Sequence, residues 1–143
     1  MTFSFKYKPV KLQTGEILYR PLIPLTFESK SKINVLAMID SGSDITIIPK
    51  EMAEALGIEF KKENIVYGIS RNPLLTKEGK VYVKFGKGRE FYSFEIPVAV
   101  PKEIHDVPII IGRAGFFSQF KITFIESEKK IEFKKIGINL ILQ

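Results

Sequence analysis

The chain offers few side chains for chemistry. Its 143 residues contain no cysteine and one histidine, His105. Disulfides, thiolate metal sites and cysteine nucleophiles are thereby excluded, and a histidine-based zinc site or a serine-histidine triad would need a second chain or unusual ligands. His105 lies between Pro101 and Pro108 among Lys, Glu and Asp, the composition of a loop. Carboxylates remain. The three aspartates are Asp40, Asp44 and Asp106, and two of them share one short segment, Asp40-Ser41-Gly42-Ser43-Asp44. An apolar run, Ile33 to Ile39, precedes that segment and another, Ile45 to Ile48, follows it. Asp, Ser and Gly are ordinary turn residues. Flanking strands this apolar imply burial, however, and a buried carboxylate costs several kcal/mol unless it is paired or functional, on the order of magnitude given by ion desolvation. By average composition an Asp-Ser/Thr-Gly triplet would arise by chance in roughly one chain of this size in ten to twenty, so the triplet alone decides nothing.

A second segment adds specificity. Ala37-Met38-Ile39-Asp40-Ser41-Gly42-Ser43-Asp44 resembles the catalytic turn of retropepsin-like aspartic proteases, in which a hydrophobic strand delivers Asp-Ser/Thr-Gly. Ile109-Ile110-Ile111-Gly112-Arg113 resembles the second signature of that family, an apolar run ending in glycine that crosses beneath the catalytic turn and leads into a short helix. Asp40 and Gly112 are 72 residues apart, with strand-like sequence between them. The resemblance covers approximately Asn34 to Phe133.

It implies that Asp40 is the catalytic carboxylate, that Ser41 hydrogen-bonds the matching loop of a partner, and that Gly42 lets substrate backbone approach. Asp44 falls where the family holds substrate backbone with an acid. Arg113 falls where an arginine pairs with that acid, a role that suits its planar, bidentate fork. Ser43, Thr46, Gly112 and Arg113 are expected to support the site, and a Ser43 hydroxyl donating to Asp40 would shift the working range toward acid. Family members cover substrate with a β-hairpin flap, for which the candidate is Val66 to Pro73, with Gly68, Ile69 and Ser70 as substrate contacts. No metal or organic cofactor is expected.

The proposed hydrolysis needs two carboxylates sharing a proton, yet no second Asp-Ser/Thr-Gly occurs. The missing one must come from another copy, so a homodimer with a two-fold axis through the site is expected.

The elements that would position these residues are mostly strands. Two-residue alternation marks Phe3/Phe5/Tyr7, Val81/Val83/Phe85, Phe94/Ile96/Val98/Val100, Ile122/Phe124 and Ile131/Phe133. Gly86-Lys87-Gly88 and Ser127-Glu128-Lys129 read as hairpin turns. Pro49 to Gly57 reads as a helix with proline at its first position, glycine past its end and Met52, Ala55 and Leu56 on one face. Arg113 to Phe120 is a second helical candidate. The apolar tail Ile138 to Leu142 would be a sticky edge unless paired, across a dimer or within its own barrel. The expected fold is therefore mainly β: a retropepsin-like closed barrel with one or two short helices, homodimeric, in a single domain spanning 1–143.

Composition allows this and little else. No stretch approaches the ~20 apolar residues of a membrane-spanning helix, and the N-terminus lacks a signal-like apolar stretch, so a cytoplasmic protein that avoids membranes is expected. The net charge of +6 is spread over many lysines, clustered only at Lys129-Lys130 and Lys134-Lys135. An RNA-binding reading of Lys87 to Phe94 fails, because Arg89 and Glu90 replace an aromatic and a small residue and the two helices of that fold are missing. No nucleic-acid partner is expected. The expected activity is that of an aspartic endopeptidase acting on peptide or protein. Its alternative is a catalytically silent module of the same fold that only binds them.

Overall fold

The computed structural model describes residues 2–67, 73–103 and 107–137. His105, Asp106 and the tail 138–142 lie outside them. Twelve strands follow one another: β1 (Thr2–Lys6), β2 (Lys8–Lys11), β3 (Ile17–Arg20), β4 (Leu22–Glu28), β5 (Lys32–Ile39), β6 (Thr46–Ile47), β7 (Lys62–Tyr67), β8 (Pro73–Lys87), β9 (Glu90–Pro101), β10 (Ile110–Ile111), β11 (Phe120–Ile125) and β12 (Lys130–Lys135). Among the described residues there is one α-helix, α1 (Lys50–Leu56), between β6 and β7. No described helix is long and apolar enough to cross a membrane.

Six strands close a barrel in the order β4-β5-β10-β6-β9-β8, with β8 returning to β4 through Thr26↔Lys84, Phe27↔Val83 and Glu28↔Tyr82. Strand alternation fills it. Ile23, Leu25 and Phe27 of β4, Val81, Val83 and Phe85 of β8, and Ile96, Val98 and Val100 of β9 all point inward and are buried. Each such side chain contributes roughly 1.5–3 kcal/mol by leaving water. A three-stranded sheet, β1-β12-β11, packs against the barrel and adds an aromatic cluster. Phe85 joins the two bodies. Its ring centroid lies 4.7 Å from Phe133 and 5.4 Å from both Phe116 and Phe120.

Four local readings are revised. The β8–β9 turn is Gly88-Arg89, since Lys87 pairs with Glu90; Gly86 stays inside β8, where a Cβ would lie 1.8 Å from the Glu90 carbonyl oxygen. Pro49 caps α1 from outside with extended ψ rather than opening it, while Gly57 ends it at φ 72° as expected. The buried face of α1 centres on Leu56 with Ala53 and the half-buried Met52, and Ala55, a quarter-turn away, is exposed. Arg113 to Phe120 is not a helix beyond the short 3-10 turn Phe117–Gln119, because Gly115 adopts φ 78° and breaks the helical path. Phe116, Phe117 and Phe120 imitate a helical stripe by spacing alone.

Candidate active site

Asp40 is placed by two strands that run side by side without being neighbours in sequence. β5 carries the chain to Ile39, and β10, arriving some seventy residues later, pairs parallel to it through Ile110↔Met38 and Ile111↔Ile39. The same β10 pairs antiparallel with β6 through Ile110↔Ile47. The Asp40 turn therefore spans the top of a strand inserted between its own two arms. Backbone hydrogen bonds fix the turn on both sides: the Asp40 N–H donates to the Ile111 carbonyl at 3.0 Å, the Arg113 N–H to Ser43 at 2.9 Å and the Ala114 N–H to Asp44 at 2.9 Å. Gly112 lies at the crossing. Its N–H donates to the hydroxyl of the fully buried Thr46 at 3.1 Å, and a Cβ on it would fall 2.3 Å from the Ile45 carbonyl oxygen. Only glycine permits that approach.

Within the turn the Gly42 N–H donates to Asp40 Oδ1 at 2.9 Å. A carboxylate is the natural acceptor for such a donor, and the bond orients the half-buried Asp40 side chain toward the cleft. Ser41 is exposed on the outer surface of the turn. The Ser43 hydroxyl does not donate to Asp40. It donates to the Ile45 carbonyl at 2.7 Å, because the turn brings that oxygen within reach and leaves Asp40 to the backbone. Arg113 and Asp44 meet in a direct ion pair whose side chains are 55% and 86% exposed.

Above Asp40 opens a cleft of about 800 Å³. Ile45, Ile47 and Ile110 give it an apolar floor, and Ile65 and Val66 on β7 face it from the other side. The strands that flank the flap candidate pair with each other, β7 with β8 through Ile65↔Leu75 and Tyr67↔Pro73, and β7 stands outside the closed barrel. Gly68, Ile69 and Ser70 lie outside the described residues.

Two further polar residues line the cleft, and sequence reasoning missed both. Glu78 on β8, only 13% exposed, accepts a hydrogen bond from the Asn64 side chain and lies 3.7 Å from the Lys62 ammonium. By alternation Glu78 shares the parity of exposed Lys80, Tyr82 and Lys84 rather than that of inward Val81, Val83 and Phe85, so no sequence signal marked it. The apolar floor was legible only as hydrophobic runs, since periodicity does not say which face meets substrate. On the outer side of the same strand pair Lys102 hydrogen-bonds Glu63 and holds its carboxyl below the usual range. No group of three His, Cys, Asp or Glu side chains gathers among the described residues to hold a metal.

No protein-family model and no curated protein matches the chain. Solved structures do. A retropepsin-like aspartic protease from Rickettsia conorii is similar over 93% of this chain and 92% of its own, with a TM-score of 0.52 at 19% identity. The retroviral protease-like domain of Ddi1 from Leishmania major is similar over 85% of this chain and 98% of its own, with a TM-score of 0.50 at 16% identity. At such identities the likeness speaks for architecture. Together with the closed six-stranded barrel and the strand inserted beneath the Asp40 turn, it establishes that this chain has the retropepsin-like fold.

Proposed function

We propose that this protein is an aspartic endopeptidase whose active site forms when two copies bring their Asp40 carboxylates together. The observation that carries the reading is the Asp40 turn itself. A carboxylate oriented by the Gly42 N–H and supported by the Gly112 crossing faces an apolar-floored cleft beneath the projecting β7–β8 strand pair. Preorganised acid-base chemistry requires a carboxyl so fixed.

The reaction follows from the pair. Two carboxyls that close cannot both ionise readily, so they share one proton. The ionised member takes a proton from a water molecule while the water oxygen bonds to the peptide carbonyl carbon. The protonated member donates its proton to the carbonyl oxygen. A tetrahedral diol results. The protonated carboxyl then donates its proton to the nitrogen while a diol hydroxyl returns one to the other carboxylate, and the C–N bond breaks, releasing an amine and a carboxylic acid and regenerating the shared-proton pair. Ser41 would join the two turns, Asp44 with Arg113 would hold substrate backbone, and the β7–β8 hairpin would exclude water.

Cleavage of an unstructured protein substrate by the wild-type chain, and its loss in Asp40→Asn at unchanged fold, is the test. A wild-type chain that binds such substrates without cleaving them would establish the silent binding module instead.

A further inference from the structure

The β2–β3 hairpin pairs with neither of the larger sheets. Its second strand presents Ile17, Leu18 and Tyr19 in succession, and they are 53%, 37% and 51% exposed. Successive side chains of a strand point to opposite faces, so both faces of this ribbon carry uncovered apolar surface. A two-stranded hairpin is marginally stable in water by itself. Contiguous exposed apolar residues mark a contact with something else.

Its position narrows what that is. β3 runs into Pro21, whose carbonyl accepts the Ile39 N–H at 3.1 Å, one residue before Asp40. The hairpin therefore projects from the end of the barrel that holds Asp40, where the proposed reaction lacks its second carboxylate. Charge agrees. The hairpin carries Lys8, Lys11 and Arg20 against the single acid Glu16, and none of the three cations makes an ion pair among the described residues. Among the described residues the cleft beside Asp40 is lined by three carboxylates, Asp40, Asp44 and Glu78, of which Asp44 pairs with Arg113 and Glu78 lies 3.7 Å from Lys62.

We propose that the β2–β3 hairpin is a dimerisation arm that packs Ile17, Leu18 and Tyr19 onto the Asp40 end of a second copy of this chain, with its cations toward the acidic rim there. Two hairpins of like charge repel one another, which favours arm-to-rim contact over arm-to-arm contact. A two-fold axis makes the exchange reciprocal. The inference rests on the two-copy reading of the site.

The experiment compares the wild-type chain with a variant carrying Ile17→Ser and Tyr19→Ser, and with Phe124→Ser on the exposed side of β11 as a control, by sedimentation equilibrium and peptide cleavage. The expected result is a wild-type dimer, a Phe124→Ser variant that associates equally well, and an arm variant of unchanged circular dichroism whose dimer dissociates at least about tenfold more readily. Should the double variant lose its fold, Lys8→Glu with Lys11→Glu tests the same contact with the same expected loss. A wild-type dimer unaffected by the arm substitutions overturns the proposal, as does a wild-type chain that stays monomeric up to about 100 μM. The two readings separate cleanly. An arm-dependent dimer that cleaves nothing removes the protease reading and leaves the arm, and a cleaving dimer indifferent to the arm does the reverse.

Discussion

At Gly112 a single methyl group would meet the Ile45 carbonyl oxygen at 2.3 Å and its carbon at 2.4 Å, contacts with backbone that cannot rotate aside. Gly112→Ala is therefore expected to lower stability by about 1–3 kcal/mol or more and to displace the Asp40 turn, so that a calorimetric melt and a cleavage assay fall together. At Gly42 the corresponding contact is 3.2 Å from Asp40 Oδ1, a milder encounter. Gly42→Ala is expected to melt near wild type and to lose activity nonetheless, because it crowds the carboxylate itself. The Asp44–Arg113 pair gives the opposite contrast. Both side chains are largely exposed, and exposed ion pairs typically contribute about 0.2–1 kcal/mol. Asp44→Asn is thus expected to leave stability almost unchanged while raising KM for a peptide substrate; an unchanged KM would assign the pair to structure alone. At this scale the sequence singled out the Asp40-Ser41-Gly42 turn because a short motif is contiguous. It concealed Glu78 and the destination of the Ser43 hydroxyl, since a side chain's partner depends on folded geometry.

Elements differ in how much of themselves they announce. β8 and β9 alternate over long spans and were readable from their residues. The β2–β3 hairpin was not, because Ile17, Leu18 and Tyr19 stand in an unbroken apolar run without a two-residue rhythm. β10 was visible as an apolar run, but nothing in its composition says that it lies parallel to β5 and antiparallel to β6. Packing decides the energetics. Phe85 is fully buried where barrel and outer sheet meet, so Phe85→Ala is expected to cost about 3–5 kcal/mol in denaturant unfolding, whereas Phe91→Ala, at a half-exposed site, is expected to cost far less. On the projecting β7, Glu63 has its carboxyl lowered by Lys102. A lowered value means that the contact contributes above the unfolded carboxylate range and is lost as pH falls through the folded value. Protection of the β7 amides, taken relative to intrinsic exchange at each pH, is accordingly expected to fall on acidification, and Lys102→Ala is expected to remove that dependence.

For the molecule as a whole, the reading turns on association. A site completed by two copies loses specific activity on dilution, whereas a self-sufficient one does not, and a dilution series of cleavage rates checks this. Its pH profile is expected to be bell-shaped, because the reaction needs one member of the carboxyl pair as base and the other as acid. The barrel was foreseeable from many short strands with turn residues between them, but its closure through β4 and β8 was not, as pairing distant strands depends on three-dimensional reach. One such pairing reaches furthest. β1 zips against β12 through five residue pairs, Thr2↔Lys134 to Lys6↔Lys130, so strands from opposite ends of the sequence share a ladder. Phe3 and Phe5 then wait for β12 before they can be covered during synthesis, and a chain still being made leaves this aromatic sheet unfinished. A nascent copy would accordingly reach its finished fold only after translation has passed β12, a built-in delay between manufacture and a closed aromatic layer.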